Sequence, residues 1–221
     1  MSLVALTIIT DGRKPETISH AIESLRENLI GAVGCFIIDD SANPDYGAWL
    51  DSEFADYYRI THHTERRGLG GAVYSAWSEA LKTPAKYVLH WEDDFVATTT
   101  VSLSDMTAIF NNNDQLAQLS LKRQPVNPDE QSVGGYMQMS PSQWFNSDRG
   151  YVRHSSLFTY NPCLIPRAIA KLASDDTTPM LERDVTDRLL TRGYHFGVLG
   201  TIEDEPRVEH VGGHRSTGWR V

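Results

Sequence analysis

Cysteine is scarce in this chain: Cys35 and Cys163 are the only two among 221 residues. They stand far apart and outside any CxxC or Cys/His spacing, which excludes a zinc ribbon or a dithiol redox centre made from sequence neighbours. Both read as reduced thiols, as expected of a cytoplasmic protein. Basic residues are also in short supply, 20 Lys and Arg against 29 Asp and Glu, for a formal net charge of -9. Such a balance excludes a protein that holds nucleic acid mainly by neutralising phosphates, though it leaves nucleic acid open as an acceptor. No apolar run approaches the roughly 20 residues that span a bilayer. The opening Leu3-Val4-Ala5-Leu6-Thr7-Ile8-Ile9 lacks a basic leader and a cleavage site, and Asp11 stops it after one strand's length. A soluble protein is expected. Absent too is G-x-G-x-x-G after that strand, where Thr10-Asp11-Gly12-Arg13-Lys14-Pro15 stands instead. Neither a P-loop nor a G-x-S-x-G elbow occurs, so dinucleotide, P-loop and α/β-hydrolase chemistry lose their usual signatures.

What is present is an alternation of short apolar runs with helical patterns, the arrangement of a mostly parallel sheet flanked by helices. Strands are predicted over Leu3 to Thr10, Gly34 to Asp39, Tyr57 to Thr61 and Lys86 to Trp91. Helices begin near Pro15, Pro44 and Gly70, the first with proline in its first turn and Ile18, Ala21, Ile22 and Leu25 on one face. Beyond Asp94 the pattern gives a helix from Ser104 to Asn111 and a strand from Leu116 to Leu121. The polar stretch Lys122 to Arg153, punctuated by proline and glycine, reads as loops with one hairpin. Helices near Pro166 to Ala173 and Leu181 to Arg192 and a strand from His195 to Leu199 complete an α/β fold. No repeat or linker divides residues 1–221, which read as a single domain.

In an open α/β sheet, ligands bind at the carboxyl ends of the strands. Those ends are acidic here. Strand one runs into Thr10, Asp11 and Arg13, strand two into Asp39 and Asp40, and strand four into Glu92-Asp93-Asp94. Carboxylates also cap helices and solvate turns, so no single one of these is diagnostic. Three consecutive carboxylates at a half-buried strand end repel one another unless a cation shares them. A hard divalent ion with oxygen ligands, Mn²⁺ or Mg²⁺, is the natural partner, able to bridge two phosphates and stabilise a departing diphosphate.

These residues together resemble a family-2-type GT-A glycosyltransferase over about residues 3 to 96. The resemblance implies a GT-A fold, a nucleotide-diphosphate sugar donor such as a UDP- or GDP-sugar, and transfer to an acceptor the sequence does not identify. It places Thr10, Asp11, Arg13, Asp39 and Asp40 at the nucleoside, and Arg66-Arg67-Gly68-Leu69-Gly70-Gly71-Ala72 in the segment leading to the metal motif. Arg66 stands where the family often has Asn, which directs it to a phosphate, with Gly68 beside the donor. Glu92-Asp93-Asp94 resembles the family's DxD motif, with Asp94 as metal ligand and Asp93 or Glu92 toward the sugar or ribose.

The second half adds Glu182-x-x-Val185-x-x-Arg188, similar to the family's acidic pair and helix, with an acid that deprotonates the acceptor hydroxyl. Either Glu182 or Asp184 fits that role, and acids also suit the first turn of any helix. Histidines of the tail, His210 or His214, supply a further metal ligand by the same likeness, with Arg215 and Ser216 near phosphate oxygens. Residues 1–96 are thus the nucleotide-sugar-binding half and 97–221 the acceptor-binding half, closed by a C-terminal lid. Tyr136, Trp144, Phe145, Tyr151 and Tyr160 offer either a platform for an acceptor or the core of a small subdomain. An inverting hexosyl- or pentosyltransferase is the leading reading. A sugar nucleotidyltransferase and a non-catalytic carbohydrate-binding protein of the same fold are the alternatives.

Overall fold

The first strand, β1 (Val4–Thr10), sends alternate side chains to two different cores, which fixes the layering of the whole molecule. Val4, Leu6 and Ile8 join one cluster, with Ile18, Ile22, Leu50 and Met106. Ala5 and Ile9 face the other, with Val73, Trp77, Ile169 and Leu189. Both faces of the sheet are therefore covered, as parallel strands require. The structure is a computed structural model and describes residues 3–31, 33–174 and 180–212.

Along the chain follow α1 (Pro15–Asn28), β2 (Leu29–Ile30), β3 (Val33–Asp39), α2 (Pro44–Phe54), β4 (Arg59–His62), α3 (Gly68–Leu81), β5 (Tyr87–Glu92) and β6 (Phe95–Ala97). Next come β7 (Val101–Ser102), α4 (Leu103–Phe110), β8 (Leu116–Ser120), α5 (Pro128–Val133), a 3-10 turn (Pro141–Gln143), β9 (Phe145–Asn146) and β10 (Tyr151–His154). The described chain closes with β11 (Cys163–Pro166), α6 (Arg167–Ser174), α7 (Glu182–Leu190), β12 (His195–Leu199) and β13 (Val208–His210). Helix starts follow local chemistry: Pro15 and Pro44 occupy first turns, and Asn43, Ser102 and Asn127 cap α2, α4 and α5.

The main sheet has the order β4-β3-β1-β5-β11-β8-β12-β10-β9. Pairings β4/β3, β3/β1, β1/β5 and β8/β12 are parallel. β11 and β10 run against their neighbours. The expected α/β architecture with its mostly parallel sheet is thus present, and the hairpin expected between Lys122 and Arg153 is β9–β10. Sequence periodicity gave no sign of β11, four residues ending in proline, which enters the middle of the sheet between β5 and β8. The short pairs β2/β7 and β6/β13 were equally silent, because two or three residues carry no period.

Candidate active site

Register brings the acidic strand ends together. Thr10 lies opposite Asp39, and Ile9 opposite Glu92. The ladder continues past the strands: the Asp40 amide donates to the Thr10 carbonyl at 2.9 Å, and the Asp93 amide to that of Ile9 at 3.0 Å. The Thr10 hydroxyl donates to Asp93 Oδ2 at 2.6 Å and lies 2.8 Å from the Tyr46 hydroxyl. Burial holds the Tyr46 phenol protonated well beyond its ordinary range. One threonine and one tyrosine thereby orient the middle acid of the triplet. Asp11 pairs with the Arg13 guanidinium, and its carboxylate also accepts from the Arg13 amide at 3.1 Å. Gly12, at φ +70°, leaves no room for a side chain, since a Cβ would come within 2.5 Å of Ser41.

Asp39 and Asp40 point to different tasks. Asp39 accepts from the Ser41 amide at 2.8 Å and faces His62 Nδ1 at 2.9 Å. The other nitrogen of His62 lies 3.1 Å from Asp51. Burial works against charge on His62, but hydrogen bonds to Asp39 and Asp51 outweigh it and raise the pKa. Asp39, Ala42, Asn43, Gly47, His62 and Thr64 are among the residues lining a cleft of about 500 Å³. Asp40, by contrast, accepts from the Arg67 amide at 2.8 Å and the Gly68 amide at 2.9 Å, and faces His63 Nδ1 at 2.7 Å. That carboxylate caps α3. Arg66, itself exposed, donates to the Ser41 carbonyl at 3.2 Å and the Asp11 carbonyl at 3.1 Å, so it clasps two strand-end loops together.

The third acid of the triplet meets a residue from the far end of the described chain. β6 follows Asp94 directly and pairs antiparallel with β13, setting His210 opposite Phe95. The His210 ring packs on Phe95 with centroids 4.9 Å apart, and its Nε2 comes 3.2 Å from Asp94 Oδ2. Two further bonds fix this corner: the Val211 amide donates to the Asp94 carbonyl at 2.8 Å, and the His210 amide to Gln124 Oε1 at 2.9 Å. A Cβ on Gly212 would run into the Asp94 carboxylate. Among the described residues no group of three or more His, Cys, Asp or Glu side chains is placed to hold a metal ion. Asp94 and His210 instead make a pair within ion-pair distance. His214, Arg215 and Ser216 lie outside the described residues, as does the rest of the expected lid beyond Gly212.

Glu182 opens α7 and is half-buried, whereas Asp184 in the same turn is exposed. Glu182 Oε1 accepts from the Tyr160 amide at 2.6 Å. Burial raises its pKa, partly offset by that amide and the Thr159 hydroxyl. Burial also pushes the Cys163 thiol up to about 12, and the charges of Glu92 and Glu182 add to the effect. Those two acids from opposite halves of the chain therefore flank one place, near Cys163 and Tyr160.

No protein-family model and no curated protein sequence matches the chain. Solved structures do. A crystal structure of GalNAc-T7 with UDP, GalNAc and Mn²⁺ superposes with a TM-score of 0.67 at 10% identity, covering 100% of this chain and 44% of that one. Residues 1–349 of TarS from S. aureus give 0.62 at 14% identity, over 96% of this chain and 60% of that one. The chain has the GT-A fold. It spans less than two thirds of the length of either structure.

Within this GT-A fold, Thr10, Asp11, Asp39, Asp93 and Asp94 gather along one buried edge. Tyr46, His62, His63 and Ser41 belong to the same edge and escaped the sequence reading. The adjacent histidines at the end of β4 were the available signal, since they occupy the same position as the acids of β1, β3 and β5.

Proposed function

We propose that this chain is a metal-dependent glycosyltransferase that moves a hexosyl or pentosyl group from a UDP- or GDP-sugar to an acceptor hydroxyl, with inversion. The observation that carries the reading is the meeting of Asp94 with His210 at the end of β5, on a GT-A fold whose nucleotide edge is lined with acids. Asp94 and His210 would hold Mn²⁺ or Mg²⁺, with His214 as a further candidate. Bound there, the ion would supply positive charge to a departing diphosphate. Residues 1–96 and 97–221 would then serve donor and acceptor respectively.

The remaining roles follow from placement. Asp39, facing the cleft beside His62, receives the nucleoside, and Thr10 fixes Asp93 toward the ribose or sugar. Arg13, 42% accessible and paired with Asp11, and Arg66 are exposed cations of that edge and both are candidates for a phosphate. Asp40 is assigned to α3, since three donors already occupy it. Glu182 takes the acceptor proton: burial raises its proton affinity, as suits a base, and it opens a helix in the second half of the chain. Gly68, Glu92, Arg215 and Ser216 complete the proposed donor contacts, with Asp184 the alternative base.

Asp94→Ala should leave the fold intact and cut both transfer and Mn²⁺-supported nucleotide-diphosphate binding by about a hundredfold. Calorimetric titration of UDP and GDP with and without EDTA provides the check. Equal affinity in both conditions, in the unaltered chain, rejects the metal-dependent reading.

A further inference from the structure

Away from the nucleotide edge, the far border of the sheet carries a cavity of about 730 Å³ lined by Gln143, Phe145, Arg153, His154, Ser155 and Ser156. Phe145 belongs to β9, the last strand of the sheet, and is 60% exposed. A bare phenyl ring on an unpaired edge is a liability for a chain that must stay apart from its neighbours. Directly across the ladder stands Arg153, also exposed. The other aromatics of this region are accounted for. Tyr151 and Tyr160 are buried in the two main clusters, and Tyr136 and Trp144 meet edge to face and pack against Met137, Val152 and Val198.

The wall of the cavity is unusual in a second way. His154 is only 4% exposed, its Nδ1 is 2.9 Å from the Ser156 hydroxyl, and its Nε2 has no hydrogen-bond partner. Trp144, whose ring lies 4.3 Å from that imidazole, likewise has an unmatched indole N–H. Burial keeps the histidine neutral, with its pKa lowered to about 3. Both atoms are shielded from solvent, so their unmatched state costs stability unless the wall shifts to let something entering the cavity complete them. An apolar ring on one side and neutral hydrogen-bonding groups on the other suit a ligand with an apolar face and a rim of hydroxyls.

We propose that this cavity is a saccharide-binding subsite for the acceptor, with Phe145 as the stacking platform and His154, Ser155 and Gln143 as partners for hydroxyls. The inference rests on the glycosyltransferase reading for the word acceptor, and on the cavity alone for the word saccharide. Chain connectivity links it to the chemistry. Residues 155–160 lead from the cavity along α7, with the Phe158 amide donating to Thr186 Oγ1 at 2.8 Å and the Tyr160 amide held by Glu182. That interval is at most roughly 17 Å, even for a fully extended chain. That span is within the length of a short oligosaccharide. A neutral polar wall with a single arginine favours a sugar over a strongly charged ligand.

The test uses the full chain without donor on an array of defined oligosaccharides, glycopeptides and glycolipid headgroups, whose separate sets distinguish the source of the saccharide. Binding to at least one set is expected, weakened roughly tenfold by Phe145→Ala. UDP and GDP affinity in Mn²⁺ should stay unchanged in that variant, since Phe145 is remote from the nucleotide edge. Arg153→Ala, a second exposed position, should weaken saccharide binding without altering thermal stability. No saccharide signal from a chain that still binds nucleotide diphosphate overturns this subsite and leaves the glycosyltransferase reading standing. Saccharide binding equal in wild type and Phe145→Ala also overturns it. Saccharide binding that depends on Phe145, in a chain that binds no nucleotide diphosphate, upholds the subsite and removes the transferase reading.

Discussion

A carboxylate that must take a proton from a hydroxyl works best when its own proton affinity lies near the working pH. Burial moves Glu182 in that direction by raising its pKa, against the pull of the Tyr160 amide. Transfer should therefore fall as pH drops through a value above the ordinary carboxylate range. Glu182→Gln should remove this limb of the profile and lower the rate by about a hundred- to ten-thousandfold, with KM nearly unchanged. A pH-rate profile of both chains checks this, and retention of the donor's anomeric configuration in the product would reject the base assignment. The same shift carries a stability term of defined sign. The folded chain binds a proton on Glu182 that the unfolded chain has released, so its contribution is lost as pH rises through the window between the two pKa values. Legibility at this scale was uneven. Three acids in a row at a strand end announce themselves, whereas Asp39 and Asp40 look equivalent on paper and diverge only because successive side chains leave a strand end in different directions.

Helix α3 shows what the second of those acids does. Its first turn would leave amides unmatched, and Asp40 accepts from two of them while also facing buried His63. Asp40→Ala should cost about 2 kcal/mol or more, since it removes a cap and leaves buried partners unmatched. Urea denaturation gives the number, and a loss below about 0.5 kcal/mol would mark the residue as free for donor binding instead. Gly70 governs the other contact of this helix. A Cβ there would stand 2.9 Å from the Met180 carbonyl oxygen and 3.0 Å from its amide nitrogen, both backbone atoms that cannot turn aside. Gly70→Ala should destabilise by about 1–3 kcal/mol, measured by the same unfolding experiment. Sequence pattern located this helix to within two residues, because Ala72, Val73, Ala76 and Trp77 keep a helical period. The contact with Met180 has no period and could only come from the folded chain.

At the scale of the molecule, the half that was legible is the half built from local repetition. β1, β3 and β4 are short apolar runs leading to α1, α2 and α3, and the alternation ends at β5, so pattern alone gave their order in the chain. Beyond β5 the sheet takes in antiparallel strands of two to four residues, β9, β10 and β11, whose partners are set by tertiary packing. The resemblance to known transferases faded at about residue 96 for the same reason. Among the described residues no helix is long and apolar enough to cross a membrane.

The pairing of β6 with β13 sets a timetable for the nascent chain. More than half of the sequence separates Asp94 from His210. At about 5–20 residues per second, on the order of ten seconds passes on the ribosome between the two. Through that interval the acidic edge of β1, β3 and β5 can already be ordered, while the imidazole that completes its corner does not yet exist. The corner where Asp94 meets His210 is thus half-built in a growing chain until β13 docks on β6.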